Sequence, residues 1–224
     1  MVTSYINWLA KIKDILLDSI FPNPVISNRL PIYKTLFCAI CRARLPNNKK
    51  ICHKGAQYLL GAATNYDQQA VRQTIWRLKY RNRTGLAKPL ADILIKYAAK
   101  LDLDWGRFIV IPVPLSQARL RNRGYNQSEL IARIFSESFQ IELNKTALVR
   151  TKNTPPQMEI RDWEARKKNI IGAFGVAKPE LIKGKNIILI DDVFTSGATM
   201  NEAAHQLKDS GAKQIIGLVV AKAG

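Results

Sequence analysis

The chain has 224 residues, of which 47% are hydrophobic, and its 35 Lys and Arg residues exceed its 17 Asp and Glu residues to give a formal net charge of +18. This length and hydrophobic content are sufficient for a buried core of ordinary domain size, which excludes disorder as the general state of the chain. The charge favours a polyanionic partner, either a nucleic acid or a phosphate-rich small molecule, although a basic surface without a specific partner would give the same value.

The first 21 residues, MVTSYINWLAKIKDILLDSIF, predict an amphipathic helix packed on the body of the protein. Ile6, Leu9, Ile12, Leu16 and Ile20 recur at helical spacing. Charged residues interrupt the apolar stretch, which argues against a signal peptide, and a membrane-surface role is the weaker alternative. No window approaches the roughly 20 apolar residues of a transmembrane helix, and cysteines are few, so we expect a soluble protein in the reducing cytoplasm.

A short segment with cysteines, CAICRARLPNNKKICHKG, completes a predicted N-terminal module over residues 1–60. Cys38 and Cys41 form a C-x2-C pair, which is half of a typical Zn²⁺ site. Cys52 opens a second pair, but Gly55 stands where its last sulfur would be, and His53 is the nearest substitute. The segment is therefore either a Zn²⁺ site or, as the missing fourth ligand favours, a degenerate zinc ribbon held by ordinary packing.

Residues 61–224 predict a second domain in which helices and buried strands alternate. Apolar positions at helical spacing predict core helices over 67–80 and 85–101. The apolar run RFIVIPVP, at 107–114, predicts a buried strand that stops at its prolines. A further helix is expected over 126–139.

The last third of the chain predicts a long loop and then a parallel βαβ unit. Residues 153–169 are polar, charged and contain prolines, which is typical of a mobile functional loop. The apolar runs at 186–191 and 214–221 predict buried strands, and 198–211 predicts the helix between them. The expected fold class is therefore α/β, with a parallel sheet flanked by helices.

Two acids, Asp191 and Asp192, fall at the carboxyl end of the first of these strands, and the small residues Thr195–Thr199 come next. Ligands of open parallel sheets lie at the carboxyl ends of the strands. Small residues at the start of a helix suit a phosphate, while carboxylates accept hydrogen bonds from sugar hydroxyls. The pattern predicts a ribose 5-phosphate site; the alternative is a capped helix with solvated acids at its rim.

These residues carry a family resemblance. IILIDDVFTSGAT resembles the motif that binds phosphoribosyl diphosphate (PRPP) in type I phosphoribosyltransferases, with Ser196 replacing the second Thr of the usual TTGAT-like loop. Together with IPVPLSQARLRNRGYNQSELIA, QMEIRDWEARKKNIIGAF and the cysteine pair, it is similar to the ComF family of competence proteins, which includes the GntX-like proteins. The resemblance extends from about Phe37 onward and is weakest in the cysteine segment.

The resemblance implies a role for each matching position. Asp191 and Asp192, the expected catalytic residues, would bind the ribose hydroxyls, and Mg²⁺ would bridge ribose and diphosphate oxygens. The segment 150–166 would close over PRPP, as a flexible loop does in the family. The remaining PRPP-binding positions are Val193, Thr195, Ser196, Gly197, Ala198 and Thr199 around the 5-phosphate, Val113, Pro114, Leu115 and Ser116 at the diphosphate, and Gln157, Arg161, Arg166 and Asn169 at the flexible loop.

The implied reaction is the transfer of a phosphoribosyl group to an acceptor that the sequence does not identify. Tyr125, Trp163 and Phe174 are candidate stacking surfaces for an acceptor, although each is more often simply a core or rim residue. No general base is evident, because His205 is expected to be a packing residue of its helix and His53 belongs to the cysteine segment.

A second hypothesis is a non-catalytic nucleic-acid binder that keeps the transferase fold as a scaffold. The family's link to natural transformation implies single-stranded DNA and other competence proteins as partners. Basic residues beside aromatics suit single strands, but a solvated face or, near Arg119, diphosphate binding would explain the same clusters. The candidate residues are Arg77, Lys79, Arg81, Arg83, Arg119, Arg121, Arg123 and Tyr125.

Overall fold

The computed structural model describes residues 32, 35–39, 56–152 and 170–223. In this part of the chain seven strands form two sheets. The strands are β1 Phe37–Cys38, β2 Leu59–Asn65, β3 Phe108–Pro112, β4 Leu148–Arg150, β5 Phe174–Val176, β6 Asn186–Phe194 and β7 Gln214–Lys222. The main sheet has the order β1-β2-β7-β6-β3, with all neighbours parallel except β1 and β2. Strands β4 and β5 pair antiparallel to form the second sheet.

Helices connect the strands and cover both faces of the main sheet. The described helices are α1 Gln69–Tyr80, α2 Ala87–Ala98, α3 Gln117–Arg123, α4 Gln127–Phe139 and α5 Ala198–Asp209, and single 3-10 turns lie at Thr84–Leu86, Trp105–Arg107 and Pro179–Leu181. Asn126 caps α4 through its side chain, which accepts a hydrogen bond from Ser128 N at 3.1 Å. None of the helices in these described ranges is long and apolar enough to cross a membrane.

The strands are buried on both faces, and their side chains alternate between two hydrophobic clusters. On β6, Ile188 and Ile190 pack with α1, α2 and α4, whereas Ile187 and Leu189 pack with α5 and the β4–β5 sheet. This alternation follows from the two-residue period of a strand. It explains why the central strands are continuous apolar runs and why helices are needed on both sides.

The predicted α/β class and the βαβ unit are confirmed, with helices close to the predicted positions. Strand β6 continues past its predicted end to Phe194, so that Asp191 and Asp192 are part of the strand itself. The sequence did not predict β2, α3, β4 or β5. Strand β1 and the start of β2, which were assigned to the N-terminal module, are strands of the main sheet. The division into domains at residues 60 and 61 remains a prediction.

Several predicted features lie outside the described residues. They are the N-terminal helix, the candidate Zn²⁺ ligands Cys41, Cys52 and His53, and the flexible-loop residues Gln157, Arg161, Arg166 and Asn169. Cys38 is described, and its side chain is buried in β1. The Zn²⁺ site therefore stays a prediction.

Candidate active site

A pocket of about 650 Å³ opens where β3 and β6 end, at the carboxyl edge of the sheet. This is the position at which parallel α/β sheets bind their ligands. It brings together Asp191, Asp192 and the residues after β3, as the sequence predicts. The lining residues are Tyr66, Lys79, Tyr80, Asn82, Val113, Pro114, Leu115, Arg119, Asn122, Arg123, Gln127, Ser128, Arg150, Asp191, Asp192, Val193, Thr195 and Thr199.

The two acids are almost fully buried, with 9% of Asp191 and 2% of Asp192 exposed. Asp191 Oδ1 accepts hydrogen bonds from Ser128 Oγ at 2.8 Å and from Asp192 N at 2.9 Å. Burial, followed by the neighbouring charge of Asp192, raises the pKa of Asp191 to about 6, against the opposing effects of Lys79, Ser128 and the Asp192 amide. Asp191 is thus a carboxyl group poised to change protonation near neutral pH.

Lys79, in the last turn of α1, provides the compensating charge. Its Nζ lies 2.7 Å from Asp192 Oδ2, which is an ion-pair distance. Burial lowers the pKa of Lys79, but the charge of Asp192, its hydrogen bonding and the charge of Asp191 outweigh burial, so that the pKa is raised. Lys79 therefore belongs to the pocket, and not to the basic surface on which the sequence placed it.

The loop of small residues after β6 makes a tight turn into α5. Gly197 has φ +83°, and a Cβ atom there would lie 2.6 Å from Phe194 Cζ. Ser196 Oγ accepts a hydrogen bond from Ala198 N at 3.3 Å, and Thr195 and Thr199 line the pocket. The positive end of the α5 dipole is therefore beside the two acids, which is a suitable place for a phosphate.

The segment Val113–Ser116, whose first three residues line the pocket, is held at both ends. Val113 N donates to Ile190 O at 2.9 Å, and Asn126 Nδ2 donates to Val113 O at 3.0 Å. Ser116 Oγ caps α3 by accepting from Arg119 N at 3.4 Å. This loop is thus fixed relative to β6 by its backbone.

Three arginines, Arg119, Arg123 and Arg150, contribute positive charge to the pocket wall. Burial and the nearby charge of Arg119 lower the pKa of Arg150 to about 10, against the effect of Asp191, so that Arg150 remains cationic at neutral pH. Arg123 Nη1 donates to Gln127 Oε1, which ties the end of α3 to α4. A cluster of cations beside two acids suits a ligand that carries both hydroxyls and phosphates.

Sequence reasoning missed several lining residues. Ser128, Gln127, Tyr66 and Asn82 were assigned no role. The burial of two carboxylates signals that partners must exist, but their identity depends on how α1 and α4 cross the sheet. Arg150 was placed at the start of the flexible loop and instead ends β4 within the pocket wall.

Two of the candidate aromatic residues have structural roles, and the expectation for His205 is wrong. Phe174 is 3% exposed in β5 and packs in the core, so it offers no face to an acceptor. The Tyr125 hydroxyl donates to Leu78 O, which gives this ring a structural role. His205 is exposed on α5, with Nδ1 3.1 Å from Gln57 Nε2 and Nε2 3.4 Å from Asp209 Oδ2, and is not a packing residue. Trp163 lies outside the described residues.

Comparisons with known proteins agree with this geometry. Residues 86–224 match the model of the phosphoribosyl transferase domain. DNA utilization protein YhgH of Shigella flexneri is 31% identical over 144 residues, which span 63% of this chain and 62% of that protein. Competence protein F of Haemophilus influenzae is 31% identical over 147 residues, or 63% of each chain. Competence protein ComFC of Bacillus subtilis is 27% identical over 144 residues, or 63% of this chain and 55% of that protein.

The alignments thus cover less than two thirds of the length of these relatives. The matches to the two competence proteins and to the DNA utilization protein confirm the ComF resemblance that the sequence motifs predicted. The domain match confirms the phosphoribosyltransferase type of fold.

Proposed function

As a member of the phosphoribosyl transferase domain family, the chain carries, we propose, a site that binds PRPP and transfers its phosphoribosyl group. One observation supports this above the others. A single pocket of about 650 Å³ is lined by the buried acid pair, by the two threonines of the turn into α5 and by the loop after β3: Asp191, Asp192, Thr195, Thr199, Val113, Pro114 and Leu115. A pocket of this size accommodates a sugar with three phosphates.

In this proposal the two acids hold the ribose. Ionised carboxylates accept hydrogen bonds from the vicinal 2- and 3-hydroxyls, and their burial strengthens those bonds. Because the pKa of Asp191 is raised to about 6, this carboxyl group becomes the stronger, ionised acceptor only when the proton that it carries at low pH has left. The 5-phosphate is placed at the start of α5, where the helix dipole and the hydroxyls of Thr195 and Thr199 favour an anion.

The diphosphate is placed against Val113–Ser116 and the arginines Arg119, Arg123 and Arg150. Displacement of diphosphate from C1 of the ribose passes through an oxocarbenium-like state, as in glycoside hydrolysis. The C1–O bond breaks with its electron pair leaving on diphosphate, while the acceptor forms the new bond to C1. Guanidinium groups stabilise the charge that develops on the leaving group, and the apolar residues around the acids exclude water.

The donor set fits Mg²⁺ that arrives with PRPP. Among the described residues no cluster of three or more His, Cys, Asp or Glu side chains forms a metal cage. Mg²⁺ needs no such cage, because it keeps several waters and binds substrate phosphates with one or two carboxylates. Asp191 and Asp192 are the carboxylates that would reach the ion or its waters, and the ion would neutralise diphosphate charge when bound.

The process to which this activity contributes is, in our proposal, the uptake and use of DNA in the cytoplasm. The names of the relatives, competence protein and DNA utilization protein, support it. The acceptor would then be a component of that process.

A second candidate function is the binding of single-stranded DNA without catalysis. The observation that favours it is the charge of +18, together with exposed Arg81 and Arg121 near the pocket. If several arginines contact DNA phosphates, the logarithm of the affinity falls by roughly 0.7 per phosphate for each tenfold increase in salt. An affinity independent of salt would eliminate this candidate.

The experiment that tests the main proposal is calorimetric titration of PRPP with Mg²⁺ into the purified protein. We expect wild type to bind and the double variant Asp191→Asn, Asp192→Asn to lose binding while keeping its circular dichroism spectrum. A matched control is Asp209→Asn, which changes an exposed acid of α5 outside the pocket. Unchanged PRPP affinity in the double variant would mean that the ribose binds elsewhere.

A further inference from the structure

The last turns of α1 expose two aromatic rings beside the pocket. Trp76 is 41% exposed and Tyr80 is 49% exposed. They are four residues apart and therefore share one face of the helix, with ring centroids 5.9 Å apart. The core is supplied by other positions of α1, through Val71, Ile75 and Leu78, so the two rings lie on the solvent side of the helix.

The guanidinium group of an arginine lies over each ring. Arg81 Cζ lies 5.1 Å from the centroid of the Trp76 ring, and Arg123 Cζ lies 5.7 Å from that of Tyr80. Arg123 and Tyr80 also line the pocket. We call these four residues the aromatic–arginine face; it begins at the rim of the pocket and runs along α1 toward solvent.

We propose that the aromatic–arginine face binds single-stranded nucleic acid by stacking unpaired bases on Trp76 and Tyr80, and that it leads the strand to the mouth of the pocket. Aromatic rings offer sequence-tolerant surfaces to bases, and guanidinium groups contact the phosphates between them. Two neighbouring rings match two successive nucleotides, whereas a free acceptor base needs one. A duplex is a poorer fit, because its bases are already stacked inside the helix.

Charge also selects this partner over a protein. An apolar protein surface would gain little from two cations held over the rings, and it would have to desolvate them. A polyanion gains from both cations and from the net charge of +18. The inference rests on the second candidate function, nucleic-acid binding, and does not depend on PRPP binding.

The test is fluorescence anisotropy of a labelled 20-nucleotide oligo-dT with the full chain. We expect Trp76→Ala to weaken binding about tenfold and Trp76→Phe, which keeps a ring, to stay within about threefold of wild type. Ile171→Ala is the matched control, since Ile171 is 61% exposed at a site away from α1, and it should not change affinity.

Stacking and charge are separated by two further measurements. An abasic strand of the same length keeps the phosphates without the bases, so Trp76→Ala should leave its affinity unchanged. Arg81→Gln should reduce the slope of log affinity against log salt by roughly 0.7, the value for one phosphate of a single strand. Arg133→Gln, at an exposed position of α4, should leave that slope unaltered.

The outcomes distinguish the levels of the proposal. Equal affinity of wild type and Trp76→Ala for oligo-dT would overturn the aromatic–arginine face while leaving nucleic-acid binding intact. Failure of wild type to bind oligo-dT would overturn nucleic-acid binding itself. Binding of a duplex of equal length as tightly as of oligo-dT would also contradict stacking. PRPP titration of Trp76→Ala, which should match wild type, reports on the pocket separately.

Discussion

Lys79 and Tyr80 are neighbours in the sequence, but their side chains serve two different regions of the molecule. Lys79 is paired with a buried carboxylate, whereas Tyr80 is half exposed beside Arg123. Successive helical residues point about 100° apart, so one turn of α1 supplies both environments. The difference teaches that one helix turn can serve stability and binding separately: the charge of the buried carboxylate must be neutralised for the chain to fold, while the exposed rings face solvent, where we propose that a ligand binds.

The largest effect on stability is expected from Lys79→Met. This change leaves Asp192 buried without its cation, and the free energy of unfolding should fall by about 3 kcal/mol, at the lower end for a broken buried pair because 21% of the Lys79 side chain is exposed. Urea unfolding measures it. Adding Asp192→Asn should restore much of the loss. Unaltered stability in Lys79→Met would show that the two regions do not differ as described.

A smaller loss is expected from Gly197→Ala, which changes the turn into α5. The residue has φ +83°, and the new Cβ atom would clash with Phe194, whose side chain is buried. Strain and clash together should cost about 2 kcal/mol in unfolding free energy and weaken PRPP binding. The control is Gly85→Ala, because a Cβ atom there meets nothing within 4 Å. Equal stability of the two variants would argue against this turn geometry.

The pH dependence of the unfolding free energy should reveal the protonation of the Asp191 carboxyl group. Its pKa is about 6 in the folded protein against an ordinary 3.8, so between pH 4 and pH 6 the folded state holds a proton that the unfolded state has released. The unfolding free energy without ligand should therefore decrease as pH rises, by about 1 kcal/mol per pH unit. Unfolding of wild type and Asp191→Asn at several pH values isolates this contribution, which the amide lacks. Parallel profiles would contradict it.

The smallest change in stability is expected at Trp76 and Tyr80, although their substitution should weaken the binding of nucleic acid. The double variant Trp76→Ala, Tyr80→Ala should alter the unfolding free energy by less than about 0.5 kcal/mol, because both rings are exposed. Thermal unfolding provides the measurement. A loss of 2 kcal/mol or more would mean that the rings are structural, and the contrast with Lys79 would disappear.

Much of the candidate site could be predicted from the sequence because it depends on local order. Asp191 and Asp192 follow an apolar run directly, and the small residues follow the acids, so one strand and one helix start specify the positions that we propose for the ribose and the phosphate. The strands β3, β6 and β7 could be predicted for the same reason, since each is a continuous apolar run.

The parts that could not be predicted depend on long-range packing or on weak local signals. In the sequence, Lys79 cannot be distinguished from the other cations of a basic cluster. Its contact with Asp192 arises from the packing of α1 over the sheet. Strand β2 contains Gly61, Ala62 and Ala63, which carry little strand preference, so its place is decided by pairing with β7. Helix α3 could not be predicted because it is short and rich in basic residues, so that the N-cap Ser116 is the main helix signal in its sequence.

The pairing of β2 with β7 has a practical consequence for anyone who shortens this protein. The domain-family match begins at residue 86, yet β2 ends at Asn65 and pairs with β7 from Leu59↔Ile216 to Asn65↔Lys222. A fragment cut at the family boundary would keep both acids but leave the backbone of β7 open along a buried, strongly apolar strand. Such an unprotected edge recruits other copies into intermolecular sheets. The recognised domain is therefore expected to aggregate when it is expressed without the residues that precede it.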